Sequence, residues 1–200
     1  EYACGIGEIL KGEFNKNIST SIDSWSEFSP LGVVLGITPF NFPAMVPLWM
    51  FPLAIAAGNS FILKPSEKDP LASMFIVELF NQTKAPKGLL NLLNGDKDVV
   101  NNLIQDKRIK AVSFVGSTPV AQKIYENSSI SGKRCQALGG DKNHALVLPD
   151  ANIDYATDQL ISAAFGSSGQ RCMALSVAVV FKDIKEKFNK SLKEKVSKLK

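Results

Sequence analysis

Short β-rich runs alternate with longer segments of helical period along most of this chain, and that alternation permits few architectures. Strands are expected at 32–37, 60–63, 90–93, 111–114, 135–137, 145–148 and 175–181. Helices are expected between them at 43–57, 70–83, 97–105, 119–127, 153–165 and 182–198. Pro43, Pro70 and Pro119 sit where a helix's first turn tolerates proline. Asp150 or Asn152 can cap the helix after Pro149. Strand–helix alternation at this spacing predicts an α/β fold with a doubly wound, parallel, Rossmann-like sheet. After Gly139-Gly140 the pattern changes to a strand, a long helix and a glycine-serine loop. We therefore expect one domain over 1–140, with 1–30 as a lead-in, and the start of a second α/β domain over 141–200.

Ligands of such sheets bind outside the carboxyl ends of the strands. The informative turns stand there: Thr38-Pro-Phe-Asn-Phe-Pro43, Lys64-Pro-Ser-Glu67, Asn94-Gly-Asp96 and Val115-Gly-Ser-Thr118. A full G-x-G-x-x-G fingerprint is absent. Gly116 still allows close backbone approach, and Ser117 opens a helix whose N-terminus suits a phosphate. Lys64 and Glu67, three apart on one strand-end loop, can hold the two hydroxyls of a ribose. The alternative reading of that pair is a surface ion pair. Cys172 follows a Gly-Ser-Ser-Gly loop, where a thiolate can meet a carbonyl carbon, and the neighbouring Arg171 charge favours the thiolate. Asn41, between two phenylalanines and two prolines, is rigid enough to meet the oxyanion such an attack builds.

Composition narrows the partners. The net charge of +4 comes from the last twenty residues, which carry eight lysines against Asp183, Glu186 and Glu194. The other 180 residues are close to neutral. That basic run reads as one amphipathic helix, with Ile184, Phe188, Leu192, Val196 and Leu199 on its apolar face, so no nucleic-acid surface is expected. Proline and glycine break the most apolar stretch, 40–61, so no membrane span is expected. Cys4, Cys135 and Cys172 are odd in number and lack C-x-x-C spacing, which argues against disulfides and a metal site and favours a reducing compartment. Cys4 and Cys135 read as structural. His144, the only histidine, suits packing or hydrogen bonding. The start, Glu1-Tyr-Ala-Cys-Gly5, has neither leader character nor an initiating methionine, and both ends read as cuts.

Taken together, and in this order, Pro39-Phe-Asn-Phe-Pro43, Gly58-Asn59, Lys64-Pro-Ser-Glu67, Phe114-Val-Gly-Ser117, Leu138-Gly-Gly140 and Gly169-Gln-Arg-Cys172 resemble the aldehyde dehydrogenase superfamily. The resemblance covers essentially the whole chain and corresponds to the middle two-fifths of that family's subunit. It implies Cys172 as nucleophile and Asn41 as oxyanion donor, helped by the Cys172 amide. It implies Lys64 and Glu67 on the ribose of NAD, Ser117 on the pyrophosphate, and Thr38 and Phe40 lining the same crevice; Gly95 and Gly116, in the strand-end turns, are expected around the same cofactor. Trp49 matches a tryptophan near the substrate entrance.

Where most members carry a glutamate base before the glycine pair, this chain has Ala137-Leu138. Water then lacks a carboxylate to activate it, and a thiol is the fitter acyl acceptor. That absence, with Pro47-Leu-Trp-Met-Phe-Pro52, Lys142-Asn-His144 and Gly169-Gln-Arg-Cys-Met-Ala174, resembles the acylating branch, the methylmalonate-semialdehyde dehydrogenases. The resemblance implies oxidation of malonate or methylmalonate semialdehyde with NAD and coenzyme A, through a Cys172 thioester. CO2 is lost on the way to acetyl-CoA or propionyl-CoA. Arg171 is the expected partner of the substrate carboxylate. The same resemblance implies a dimer or tetramer, located in the mitochondrial matrix in a eukaryote or the cytoplasm in a bacterium, with a role in valine breakdown. Two alternatives stay open: a hydrolytic aldehyde dehydrogenase, and a truncated, non-catalytic subunit. Were these 200 residues the whole protein, no turnover is expected. Ala121, where the family usually has glycine, is expected to crowd the pyrophosphate turn, and Asp141 in the following loop has no evident role.

Overall fold

The computed structural model describes residues 2–199, which divide into two compact units, 2–139 and 140–199. The first unit opens with a short helix α1 (Ile6–Ile9) and an antiparallel hairpin, β1 (Phe14–Ser19) and β2 (Ile22–Trp25). Then come β3 (Val33–Ile37), α2 (Met45–Ala56), β4 (Ser60–Lys64), α3 (Leu71–Asn81), β5 (Leu90–Leu92), α4 (Lys97–Gln105), β6 (Ile109–Val115), α5 (Thr118–Ile130) and β7 (Arg134–Leu138). The five strands from β3 to β7 form one parallel sheet in the order β5-β4-β3-β6-β7. This is the doubly wound arrangement the alternation predicts. The hairpin was not predicted, and its residues fall in the expected lead-in.

The strands form because their side chains serve two cores at once. In β3, Val34 joins Val46, Met50, Phe51, Phe61, Leu63, Val77 and Leu90 on the α2–α3 side. Its neighbours Leu35 and Ile37 join Val100, Ile104, Val112, Phe114, Ala121 and Ile124 on the α4–α5 side. Period-two alternation between two buried faces explains the nearly unbroken apolar runs. Gly36 admits the Phe61 ring against β3: a Cβ there would lie 2.3 Å from the ring.

Helix starts follow local chemistry. Pro43 lies before α2 rather than in it, and its carbonyl, to which Pro47 has no amide to donate, accepts the Ser73 hydroxyl at 2.8 Å. Pro47 falls in the first turn of α2, where the missing amide has no partner to lose, whereas Pro52 removes an interior bond. Asp96 caps α4 by accepting from the Asp98 amide. Asn59 ties the end of α2 to the start of β3. Its Oδ1 accepts from the amides of Leu31 and Gly32 at 2.8 and 3.1 Å, and its Nδ2 donates to the Ala54 carbonyl at 3.0 Å.

The second unit contains β8 (Asn143–Val147), α6 (Ile153–Phe165), β9 (Leu175–Val180) and α7 (Lys185–Val196), with β8 and β9 paired in parallel. Of the two expected caps Asn152 serves, its side chain accepting from the Tyr155 amide. The expected helix at 182–198 begins instead with a 3-10 turn, Lys182–Ile184. On α7, Phe188 is buried and Ile184 and Leu192 pack beside it, while Leu199 is exposed beyond the helix. Among the described residues no helix is long and apolar enough to cross a membrane.

Candidate functional site

In this sheet the chain leaves β3 for β4 on one side and reaches β6 on the other, so the strand order reverses beside β3. That is where a doubly wound sheet opens a crevice. A cavity of about 1030 Å³ lies there, walled by the turns after β3, β4 and β6 and by α4 and α5. It is large enough for an extended organic cofactor. Six of the seven predicted cofactor residues line it: Thr38, Phe40, Lys64, Glu67, Gly116 and Ser117.

Lys64 ends β4 almost fully buried, and its ammonium reaches the Glu67 carboxylate at 3.2 Å. Glu67 itself is well exposed. Its own main-chain amide first, and the Lys64 ammonium second, hold its carboxyl below the usual carboxylate range. The Glu67 carboxyl is thus ionised at neutral pH, an acceptor beside the Lys64 donor at the crevice wall. The Thr38 hydroxyl is buried with no partner among the described residues. A buried polar group of this kind at a ligand wall fits a polar ligand atom that would satisfy it. Lys68 lies over the Phe40 ring, 5.0 Å from its centroid, and holds that side chain at the rim.

Gly116 is required by packing as well as by approach: a Cβ there would lie 2.4 Å from the Phe114 ring. Ser117 is the N-cap residue of α5, yet its hydroxyl makes no capping bond. The helix N-terminus with that hydroxyl suits an anion. Ala121 does not crowd this turn, contrary to expectation. Its methyl is buried in the α4–α5 core and is absent from the crevice lining. Sequence reasoning missed the α4–α5 wall, including Lys97, Asn101, Lys123 and Asn127.

Gly95, the seventh cofactor residue, is not among the lining residues. Its φ of +154° and the Val99 side chain, 2.4 Å from any added Cβ, account for the glycine. Trp49 lines a separate hollow of about 540 Å³ near the β6 and β7 strands, with Gln136 and Leu138. Asn41 is half-buried in the turn between β3 and α2. That turn is fastened by the Ser73 bond to Pro43 and by the Val46 amide, which donates to the Phe42 carbonyl at 3.2 Å.

In the second unit, Cys172 is half-buried, unbridged, and one of two central residues of a turn. The Ala174 amide closes that turn on the Arg171 carbonyl at 3.1 Å. Before it runs the 3-10 segment Gly166–Gly169, in which Ser167 (φ 54°), Ser168 (φ 55°) and Gly169 (φ 72°) are all left-handed. Non-glycine residues in that region are strained, and such strain gathers at functional loops. Arg171 folds back on this loop: Nε donates to the Ser167 hydroxyl at 3.4 Å, and the guanidinium covers Gly166. The Asn143 side chain donates to the carbonyls of Cys172 and Ala174 at 3.0 and 3.2 Å and to Asp141 Oδ1 at 2.9 Å. His144 Nδ1 lies 2.6 Å from the Lys142 carbonyl, the hydrogen-bonding role expected of it.

No carboxylate occurs from Arg134 to Gly140. The side chain at the end of β7 is an exposed leucine, Leu138, while Ala137 packs into the core. Cys135 is partly buried, and desolvation pushes its thiol up, which suits an inert role; Cys4 is exposed.

Residues 1–200 match the aldehyde dehydrogenase family. The chain is 60% identical over 183 residues to the malonate-semialdehyde dehydrogenase of Pseudomonas aeruginosa, an alignment covering 92% of this chain and 37% of that protein. It is 54% identical over 200 residues to malonate-semialdehyde dehydrogenase 1 of Bacillus licheniformis, covering 41% of it. Among solved structures, the methylmalonate-semialdehyde dehydrogenase of Oceanimonas doudoroffii superposes with a TM-score of 0.96 at 58% identity, over all of this chain and 41% of the other. A Sinorhizobium meliloti protein described as a methylmalonate-semialdehyde dehydrogenase, solved with NAD, gives 0.95 at 46%, over all of this chain and 41% of the other. The chain thus spans about two-fifths of the length of these relatives. With the switch-point crevice and the cysteine loop in place, these matches show that the chain belongs to the aldehyde dehydrogenase family.

Proposed function

We propose that this chain carries the cofactor crevice and the nucleophile of an NAD-dependent semialdehyde dehydrogenase that passes its acyl group to coenzyme A. The reaction oxidises malonate or methylmalonate semialdehyde and yields acetyl-CoA or propionyl-CoA, CO2 and NADH. The substrate class follows the names of the relatives in Pseudomonas, Bacillus and Oceanimonas. The crevice residues suit NAD: Lys64 and Glu67 for ribose hydroxyls, the Ser117 helix start for the pyrophosphate, and Thr38 and Phe40 alongside. When bound, NAD accepts the hydride from the substrate carbon.

The chain's own residues do the rest. The Cys172 thiolate forms a bond to the aldehyde carbon, and the side-chain amide of Asn41 stabilises the oxyanion that results. Loss of hydride leaves a β-carboxylated thioester on Cys172; its carboxylate departs as CO2, and the enolate left behind takes up a proton to give the acetyl or propionyl thioester. The thiol of coenzyme A then displaces Cys172, which leaves as the thiolate. Arg171 is the cation proposed to select a carboxylated substrate. The whole protein is proposed to act as a homo-oligomer.

Leu138 at the end of β7 is the observation that favours a thiol over water. A hydrolytic enzyme needs a general base at that stage, and the segment from Arg134 to Gly140 supplies none. The test is NADH formation by the full chain with a semialdehyde and NAD, with and without coenzyme A. Sustained turnover is expected with coenzyme A and a single burst without it. Cys172→Ala should abolish both. Undiminished turnover without coenzyme A would instead identify a hydrolytic enzyme.

A further inference from the structure

We propose that Asn143 and Asp141 are positioning residues for Cys172, acting as a side-chain clamp on the nucleophile's own peptide unit. This rests on the reading of Cys172 as nucleophile. Cys172 is the second residue of the turn closed between Arg171 and Ala174. The carbonyl of that position points away from the turn's own hydrogen bond, so the turn itself gives it no partner. The strand ladder does not reach it either. Pairing of β8 with β9 begins at Asn143 opposite Leu175 and shifts by one residue before His144 meets Val177. Asn143 stands at that first irregular rung.

Its side chain replaces the missing ladder. Nδ2 lies within hydrogen-bond distance of the Cys172 and Ala174 carbonyls and of Asp141 Oδ1. An amide nitrogen has two hydrogens. All three oxygens are served when the two carbonyls share one hydrogen and Asp141 takes the other. The clamp therefore grips the peptide units that follow Cys172 and Ala174, and so fixes the plane next to the nucleophile. Asp141 decides which way the amide faces. As an acceptor it requires the nitrogen, not the oxygen, on the inner side. Asp141, without an evident role in sequence, thereby acquires one.

The loop needs such a grip because its approach is strained. Ser167 and Ser168 are both left-handed, and a freed turn could relax by rotating the peptide after Cys172. Asn143→Asp keeps the volume but sets an oxygen against two carbonyl oxygens. Misplacement of a reacting group by about 1 Å can lower a rate about 100-fold.

The test uses the full chain and reads two rates. One is the alkylation of Cys172 by iodoacetamide, followed by peptide mapping to separate it from Cys4 and Cys135. The other is turnover, divided into kcat and KM. Asn143→Asp is expected to lower the alkylation rate and kcat by roughly tenfold or more, with the Kd for NAD within about twofold of wild type. Asp141→Ala should lower both rates severalfold, and Asp141→Asn, which keeps an acceptor, should restore them. A folded Asn143→Asp protein with both rates unchanged would overturn the clamp. So would an equal loss in NAD affinity, which marks general damage. If Asn143→Asp does not fold, the Asp141 pair decides: equal rates for Asp141→Ala and Asp141→Asn refute the proposal. Turnover surviving in Cys172→Ala removes its premise, whereas an inactive Cys172→Ala beside an unaffected Asn143→Asp refutes the clamp alone.

Discussion

Replacing Gly36 by alanine tests how the sheet that carries the crevice is packed. A Cβ at this position would lie 2.3 and 2.7 Å from two carbons of the Phe61 ring and 3.2 Å from the Met50 sulfur. Carbon atoms sit comfortably at about 3.5–4.0 Å, so the ring must retreat by about 1 Å or more. It has little room, being 2% exposed and set edge-on to Phe51 at 6.3 Å, which in turn meets Phe80 at 6.0 Å. Overpacking of this sort costs about 1–3 kcal/mol, and the chain of rings places it near the top of that range. Removing a glycine from a strand returns about 0.5–1 kcal/mol, which leaves a net loss of about 2 kcal/mol. Phe61→Leu clears the ring, so in that background Gly36→Ala should be nearly neutral. Urea unfolding of the four proteins of the cycle gives the coupling, expected at about 2 kcal/mol. An equal cost in both backgrounds would refute the steric account.

Asn59→Ala should lower stability by about 2 kcal/mol in the same assay, since it strands two partly buried amides, while the Ala54 carbonyl keeps the Asn59 main-chain amide at 3.0 Å. Asn59→Asp, which keeps the acceptor, should lose about half as much, and a loss below about 0.5 kcal/mol for the alanine would contradict this reading. The Lys64–Glu67 pair should contribute at neutral pH and lose its contribution only in acid. Glu67 is held below its ordinary value, so its contribution is complete above an unfolded-state pKa of about 4.3 and is lost as pH falls through the lower folded value. The stability difference between wild type and Glu67→Gln should stay flat from about pH 8 to about pH 5 and shrink below that. A difference already declining near neutrality would mean another group is responsible.

The elements most legible in sequence were those whose signals are local. The helices at 97–105 and 153–165 match the structure residue for residue, and each starts at an Asp or Asn cap. The strands were legible because parallel strands buried on both faces leave unbroken apolar runs. The hairpin of β1 and β2 was missed because its turn has no glycine and its left-handed positions are Asn17 and Ser21. Its apolar residues are also exposed, so no burial pattern marks it. Gly95 was assigned to the crevice by a rule that treats all strand ends alike. The sheet order shows why that rule fails there: β5 is an edge strand, away from the reversal beside β3. The α4–α5 wall was findable, because both helices begin directly after strands of the same sheet. The Asn143 contact to Cys172 was not, since 29 residues and a helix separate them.

The Cys172 loop and the crevice solve opposite problems. The crevice is made by strands whose ends are fixed by ladders on both sides, so its residues inherit rigidity from the sheet. Thr38 shows this: its amide extends the β3–β4 ladder to the Lys64 carbonyl at 3.1 Å, while its hydroxyl stays unpaired at the wall. Cys172 has no such ladder. It stands between a left-handed serine pair and the first, irregular rung of β9. Left-handed backbone costs about 1–2 kcal/mol per residue, so the two serines bias this segment toward relaxing. Asn143 opposes that bias with two contacts from β8 to the loop carbonyls of Cys172 and Ala174, and a third, to Asp141, holds its amide in place. A side-chain clamp of this kind holds one peptide plane without extending the sheet. The thiol thus stays outside any ladder, half-buried and unbridged.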